Sequence, residues 1–360
     1  MKNKSQQILR DYAVYIALLL LTFFLSIATG TDFLSPRNLS NLMRQTSING
    51  ILALGMTLVI LTGGIDLSIG SVVALAGVVV GYLQVHAGWA DLGVTGAFLS
   101  VAVGVGVGLL IGALNGTLTT VLGVAPFVIT LGLMVIARGL ALIFSGGAAI
   151  SPMGDELTAL ATKYLSPSIT IALLILLIAP LLWQARREVK HWVAPLLLAA
   201  LGAYIFLGYR GFPVIVLFLA VLALVIATLA NRTTFGRSVY AIGSNERAAF
   251  WAGVQVKPTL ILVYTIMGAL AGLVGVLLSA RLNSADPNAG QLFELDAIAA
   301  VVIGGTSLRG GQGRLSGSLA GALTIASLNN GMDLLGVTSF YQMVLKGTII
   351  IAAVSLDRRK

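Results

Sequence analysis

Six side chains of this 360-residue sequence occupy places from which hydrocarbon should exclude them. Asp66 in "LTGGIDLSIGS", Asn115 in "ALNGTL", Arg138 in "VIARGLALIF", Asn329 and Asn330 in "SLNNGMDLLGV" and Lys346 in "MVLKGTII" all lie within or between long apolar runs. A charged or amide group at membrane depth is costly, so each is by default a candidate for a transport path, a proton relay or a bond across helices. Asp66 follows a glycine pair and precedes Ser68 and Ser71. That setting suits a carboxylate capping the helix that begins there, favoured by the positive end of the helix dipole. A direct substrate or proton role is the alternative. Arg138 and Lys346 are expected to snorkel to an interface, with a partner carboxylate inside the bundle as the alternative. Asn115, Asn329 and Asn330 either line a polar passage with Asp66 or bond across helices.

No catalytic set assembles from the remaining residues. The chain has no cysteine, hence no disulfide framework and no thiolate site. Its two histidines, His86 and His191, are far apart in sequence, so no metal site is expected. "GGTSLRGGQGRLSG" (304–317) is rich in glycine but lacks G-x-x-x-x-G-K-[ST], and that pattern occurs nowhere in the chain. No lysine is therefore placed to reach β and γ phosphates, and the segment is expected to be a turn between spans. Glu294 and Asp296 stand two apart, which points them to different helix faces. Beside the outer loop "RLNSADPNAGQLFELD" they are expected to cap the next span or meet a partner.

The elements that would hold these residues are transmembrane helices. The chain is 58% hydrophobic and only 10% charged. Apolar runs long enough to cross a bilayer of roughly 30 Å recur along it, and no alternating strands of barrel type occur. The spacing predicts an all-α polytopic membrane protein with spans near 12–30, 47–63, 67–87, 97–121, 126–146, 170–185, 193–209, 213–231, 259–281, 294–306, 315–333 and 340–356. The N-terminal run is too long for a signal peptide and no clean cleavage site follows it, so it is expected to remain as the first span. Twelve crossings put both termini on one side. Of the 22 lysines and arginines, fifteen fall in the segments that then face inward. Five (Arg37, Arg44, Lys163, Arg210 and Arg281) face outward, and Arg138 and Lys346 lie within spans. This asymmetry places both termini in the cytoplasm, and the net charge of +9 reflects membrane orientation rather than nucleic-acid binding.

Two glycine stripes suggest a repeat. Gly104, Gly108, Gly112 and Gly116 recur every four residues, as do Gly313, Gly317 and Gly321. Such stripes let helix backbones approach closely in lipid. The chain is therefore expected to be one transmembrane domain, with a first half at 1–146 and a second half at 213–360. Between them, 147–212 carries two inserted spans joined by the basic turn "RREVKHW".

The longest inner loop, 232–258, contains "AIGSNERAAFWAGV", a stretch too polar for a span. Ser244 and Asn245 signal a helix start and Gly253 a stop. The short helix, Ser244 to Gly253, presents Ala248 and Ala252 one turn apart, and likewise Ala249 and Gly253, with Glu246 and Arg247 near its start. Phe250 and Trp251 add apolar bulk that would be wasteful in open cytoplasm, so the helix is expected to dock on another protein. A position on the membrane surface is the alternative.

Several blocks together resemble the permease subunits of bacterial monosaccharide ABC importers, the ribose, xylose, galactose and arabinose permeases. They are "ALGMTLVILTGGIDLSIGSVVALAG", "TTFGRSVYAIGSNERAAFWAGV", "ELDAIAAVVIGGTSLRGGQGRLSG", "SLNNGMDLLGV" and "YQMVLKGTIIIAAV", spread over about 38–357. The resemblance implies the ABC importer permease fold in inverted five-span halves, a homodimer in the bacterial inner membrane, and import of a monosaccharide. The inserted pair makes xylose the first expectation and ribose the second. The resemblance further implies that 244–253 is the coupling helix for a cytoplasmic ABC ATPase, which binds the ATP and magnesium, while this chain binds no cofactor. A periplasmic or extracellular sugar-binding protein would meet the outer loop, with Asp286, Asn288 and Glu294 as candidate contacts. A proton-coupled secondary sugar transporter is the rival expectation. It needs a buried acid relay, for which Asp66 alone is a poor basis.

Overall fold

The structure, a computed structural model, describes residues 2–185 and 192–357. The basic turn expected at 186–192 therefore lies, except for Trp192, outside the described residues. The helices are α1 (Lys2–Ala28), α2 (Pro36–Leu61), α3 (Ile69–Val85), α4 (Gly93–Leu122), α5 (Pro126–Ser145), α6 (Asp155–Thr162), α7 (Pro167–Ala185), α8 (Val193–Leu207), α9 (Val214–Arg232), α10 (Thr234–Ser244), α11 (Glu246–Trp251), α12 (Val256–Leu282), α13 (Phe293–Ile303), α14 (Leu315–Leu334) and α15 (Ser339–Asp357). Local signals set several ends. The Ser35 hydroxyl accepts from the Asn38 amide at the start of α2, with Pro36 in the first turn. Proline likewise opens α5.

Among the described residues, 5 segments can cross a membrane by length and composition: α2, α4 with its leading 3-10 turn, α5, α9 and α12. Shorter apolar helices include α3 and most of α1, α7 and α8. The sequence-predicted span at 294–306 is not a full helical crossing. In its place stands α13, whose 11 residues rise about 16 Å, roughly half of a bilayer core. The reason lies just upstream. Asn283, Gly290 and Leu292 all have positive φ, so residues 283–292 cannot be helical.

That non-helical segment turns back into the protein. A Cβ on Gly81 would lie 2.7 Å from the Ala285 Cβ, while a Cβ on Gly290 would lie 2.5 Å from the Gly70 carbonyl oxygen. Between 285 and 290 the chain thus returns along α3 from Gly81 to Gly70, about 16 Å of helix. Residues 62–68, between α2 and α3, form a second non-helical segment. It ends where α3 begins, one residue before Gly70. The leads into α3 and α13 therefore meet backbone to backbone, at a point where no side chain fits on either glycine.

Glycine also sets the main helix pair. A Cβ on Gly108 would strike the Gly268 carbonyl, and one on Gly112 would strike the Tyr264 carbonyl and lie 3.0 Å from Gly268 Cα. Gly104 and Gly116 meet Val276 and Ile261, so α4 runs antiparallel to α12. On α14, Gly317 and Gly321 meet the Gly304 and Ala300 backbones beside α13. Both stripes are thus spent on contacts within the chain.

The first stripe gives a direct test with an internal control. Gly112→Leu should lower the stability of the single chain, since overpacking typically costs about 1–3 kcal/mol. Gly106 lies on the same helix, and a Cβ there has nothing within 4 Å. Gly106→Leu should leave the melting temperature in detergent unchanged. Equal melting temperatures for the two variants would contradict the packing.

Candidate functional site

On the exposed side of the bundle, α5, α15 and the returning segment enclose a cavity of about 440 Å³. Ser71, Arg138, Gln291 and Glu294 supply its polar lining, and Met134 and Met343 its apolar walls. Arg138 is placed here by a purpose not expected from sequence. Its Nη1 donates to the Ala289 carbonyl at 2.9 Å and also to the Pro287 carbonyl. The guanidinium thus satisfies two backbone acceptors that a helix would have paired internally, a requirement of any non-helical segment at membrane depth. Glu294 and Asp286 add electrostatic attraction. The expectation that Arg138 snorkels to an interface gives way to this inward role.

Lys346 departs from expectation in the same direction. Its Nζ lies 2.9 Å from Asp296 Oδ2, and Asp296 is 5% exposed. Asn329 lies beside that carboxylate. Lysine, amide and carboxylate join α15, α14 and α13, which fits the alternative of a partner inside the bundle. Asp296 makes no capping hydrogen bond and is buried within the bundle.

The four residues expected to share a passage are not together. Asp66 is 1% exposed. Its Oδ1 accepts from the Ser68 amide at 2.9 Å and the Ser68 hydroxyl at 2.6 Å. Asn115 Nδ2 in turn donates to that hydroxyl at 2.8 Å. Asp66 therefore fixes the turn before α3 and ties it to α4. Asn330 pairs with Asn38 through two amide hydrogen bonds of 2.8 and 2.9 Å, joining α14 to α2. Asn329 belongs to the Asp296 cluster. Among the outer-loop candidates, Asp286 and Asn288 are exposed and adjacent, with the Asn288 amide donating to Asp286 at 2.8 Å. Glu294 is set apart from them, half-buried beneath the loop against Gly70.

A second surface lies at the far end of α12. α10, which the sequence reading did not separate, ends at Ser244, so the short helix proper is α11 with Asn245 as its cap. Asn245 Oδ1 accepts from the Ala248 amide at 3.0 Å, and Gly253 with φ 85 ends the turn that follows. Ala249 is buried against Ile242 and Val256, so it attaches α11 to its own chain and is not part of a free small-residue face. Phe250 and Trp251 are instead 64% and 85% exposed, beside a hollow of about 570 Å³ shared with Arg247 and Lys257. Behind α11, a Cβ on Gly243 would strike the Leu61 carbonyl, and the Gly311 amide donates to that same carbonyl at 2.9 Å. The Tyr240 hydroxyl donates to the Gly313 carbonyl at 3.1 Å, and burial pushes its pKa up, which keeps the proton on the donor. The end of α2, the α10–α11 corner and the glycine-rich turn thus form one joint.

Comparisons with known proteins place this geometry. The model of the family described as branched-chain amino acid transport system / permease component matches residues 38–354. The ribose import permease of Bacillus subtilis (strain 168) is 39% identical over 98% of this chain and 94% of its own length. The xylose transport system permease of Haemophilus influenzae is 40% identical over 97% of this chain and 96% of its own. That of Escherichia coli (strain K12) is 39% identical over 99% and 93%. No solved structure matches the chain.

The Lys346–Asp296 pair makes a separable prediction. Lys346→Met leaves a buried carboxylate without its cation and should cost about 3 kcal/mol, the lower end for breaking a buried pair. The double variant Lys346→Met with Asp296→Asn should recover most of the loss in thermal melting. A single variant as stable as the double would contradict the pair's role.

Proposed function

The chain belongs to the branched-chain amino acid transport system / permease component family, and from that premise we propose how this sugar permease works. It is a multi-pass protein of the bacterial inner membrane and the permease subunit of a sugar ABC importer; its relatives are named as a ribose import permease and as xylose transport system permeases. The transported sugar is an aldopentose, xylose in first place and ribose in second. The inserted pair α7–α8 motivates that order. ATP and magnesium bind a separate ATPase, and a sugar-binding protein delivers substrate at the outer face.

The observation that carries this reading is the exposed aromatic pair on α11. An Asn245-capped turn that projects Phe250 and Trp251 away from the apolar bundle is a docking feature for a soluble partner. Its base is fixed through Gly243 to the end of α2. Closure of the ATPases would move this corner, and through Leu61 the turn at 62–68 and the meeting point of Gly70 and Gly290. The cavity lined by Arg138, Glu294, Gln291 and Ser71 adjoins that meeting point. It is the proposed mid-membrane station for the sugar, completed by α5 and α15 of a second copy.

Two similar layouts support inverted halves. In each, a long helix (α2 or α12) leads into a non-helical return and a shorter helix (α3 or α13). An asparagine from a glycine-striped helix (Asn115 of α4, Asn329 of α14) then reaches a polar group at that shorter helix. Counting each return with its helix as one crossing restores twelve, with both termini cytoplasmic. The proton-coupled alternative is weakened, because Asp66 is enclosed by Ser68 and Asn115 and Asp296 is held by Lys346.

Replacing Phe250 and Trp251 with alanine should leave the permease folded, since both are exposed. Loss of anchor residues of about 2 kcal/mol or more should cut ATPase co-purification about thirtyfold. ATP-driven xylose uptake into proteoliposomes holding permease, ATPase and binding protein should fall with it. Full assembly and uptake in the variant would overturn the docking, and uptake by the permease alone under a pH gradient would overturn the importer reading.

A further inference from the structure

The positive-inside rule makes cations on the outer face the exception. Two of the five exceptions line one cavity, and a third reaches it. Arg37 and Arg44 line a space of about 510 Å³, together with Asn41, Tyr164, Tyr209 and Asp32. Arg281 reaches it from α12, its Nη2 donating to Asn41 Oδ1 at 3.4 Å. Lys163 directly precedes Tyr164, and the Arg210 guanidinium lies 5.4 Å from the Tyr209 ring centre.

The lining holds one carboxylate, Asp32, against Arg37 and Arg44, and Arg281 adds a further cation. Arg44 repels Arg281, and neither has a carboxylate within 4.0 Å among the described residues. Arg44 donates to the Tyr164 hydroxyl at 3.4 Å and to the Ala161 carbonyl at 3.2 Å, and its guanidinium lies 5.8 Å from the Tyr164 ring centre. Its Nε is buried with no protein partner. Two half-buried guanidiniums facing one another are unfavourable unless an anion lies between them. Their planar forks match a tetrahedral oxyanion, which can accept from both.

The surroundings say how such an anion arrives. The Tyr204 hydroxyl donates to the Leu34 carbonyl at 3.2 Å, and Gly208 packs on Pro36, so the outer end of α8 seats beside the α1–α2 turn. Both flanking helices present exposed apolar faces: Leu20, Phe23 and Ile27 on α1, and Leu197 and Leu201 on α8. A cationic pocket at the water boundary between two greasy helix faces is the setting for a phospholipid headgroup.

We propose that this outer cavity is a phosphate-binding site, occupied by the headgroup of an anionic phospholipid whose acyl chains run along α1 and α8. Arg44 and Arg281 hold the phosphate oxygens, Arg37 adds long-range attraction, and Asn41 and Tyr209 face the polar headgroup. The site is separate from the proposed sugar station and does not depend on it.

The full-length permease in neutral detergent would be melted with phosphatidylglycerol, with phosphatidylcholine, or with inorganic phosphate, and co-purified lipid would be measured. Phosphatidylglycerol should raise the melting temperature more than phosphatidylcholine. Arg44→Gln with Arg281→Gln should weaken that response about tenfold or more, while the paired lysine substitutions retain much of it. A response to inorganic phosphate equal to that of the lipid, and lost in the same variant, would assign the site to the free anion and remove the lipid. Equal responses to the two lipids without any phosphate response, or an undiminished response in a glutamine variant that remains monodisperse, would overturn the proposal.

Discussion

The contact between Gly70 and Gly290 constrains everything around it. Neither glycine has room for a side chain there, and the 62–68 and 283–292 segments beside the contact are non-helical backbone at membrane depth, which must find hydrogen bonds outside a helix. The polar residues that look misplaced in the sequence supply part of that need. Arg138 donates to the Pro287 and Ala289 carbonyls. Asp66 accepts from the Ser68 amide, and Asp286 from that of Asn288. Burial of Arg138 and Asp66 costs desolvation energy, and each of the three holds a turn that an apolar residue would leave with an unpaired group.

The same contact gives the bundle a route for movement. α4 is locked to α12 by glycine-on-backbone packing, so this pair is poorly suited to sliding. The Leu61 end of α2 is held differently, through the Gly311 amide and the close approach of Gly243. These are points of contact at a corner rather than a long interface. In the proposed mechanism a push on α11 passes to α2 and the 62–68 turn, toward the Arg138–Glu294 cavity.

How much of this could be read in the sequence depends on the range of the interaction. Long apolar runs and the charge asymmetry between loops are local, and they gave the helices and their expected orientation. Asn245 and Gly253 are local too, and they bracket α11 as expected. The faces of a helix that is apolar all round are not legible, which is why the glycine stripe was assigned without its partner and Ala249 was taken for a free surface. Lys346 and Asp296 are separated by fifty positions, so their pairing needed the fold. The shortness of α13 was hidden because "FELDAIAAVVI" continues into glycine as an apolar run would. The positive φ of Leu292, which ends the return, has no sequence signature. Asn283, Pro287 and Gly290 are the turn residues that hint at the return.

A Cys-free chain allows the central contact to be measured directly. Ser71 and Gln291, which line the cavity next to Gly70 and Gly290, can be replaced together by cysteine in membrane-inserted permease. A short bifunctional thiol reagent should link the two sites within one chain, and neither single variant should give that product. A correctly inserted double variant that reacts at both cysteines yet forms no intramolecular link would contradict the meeting of the two segments.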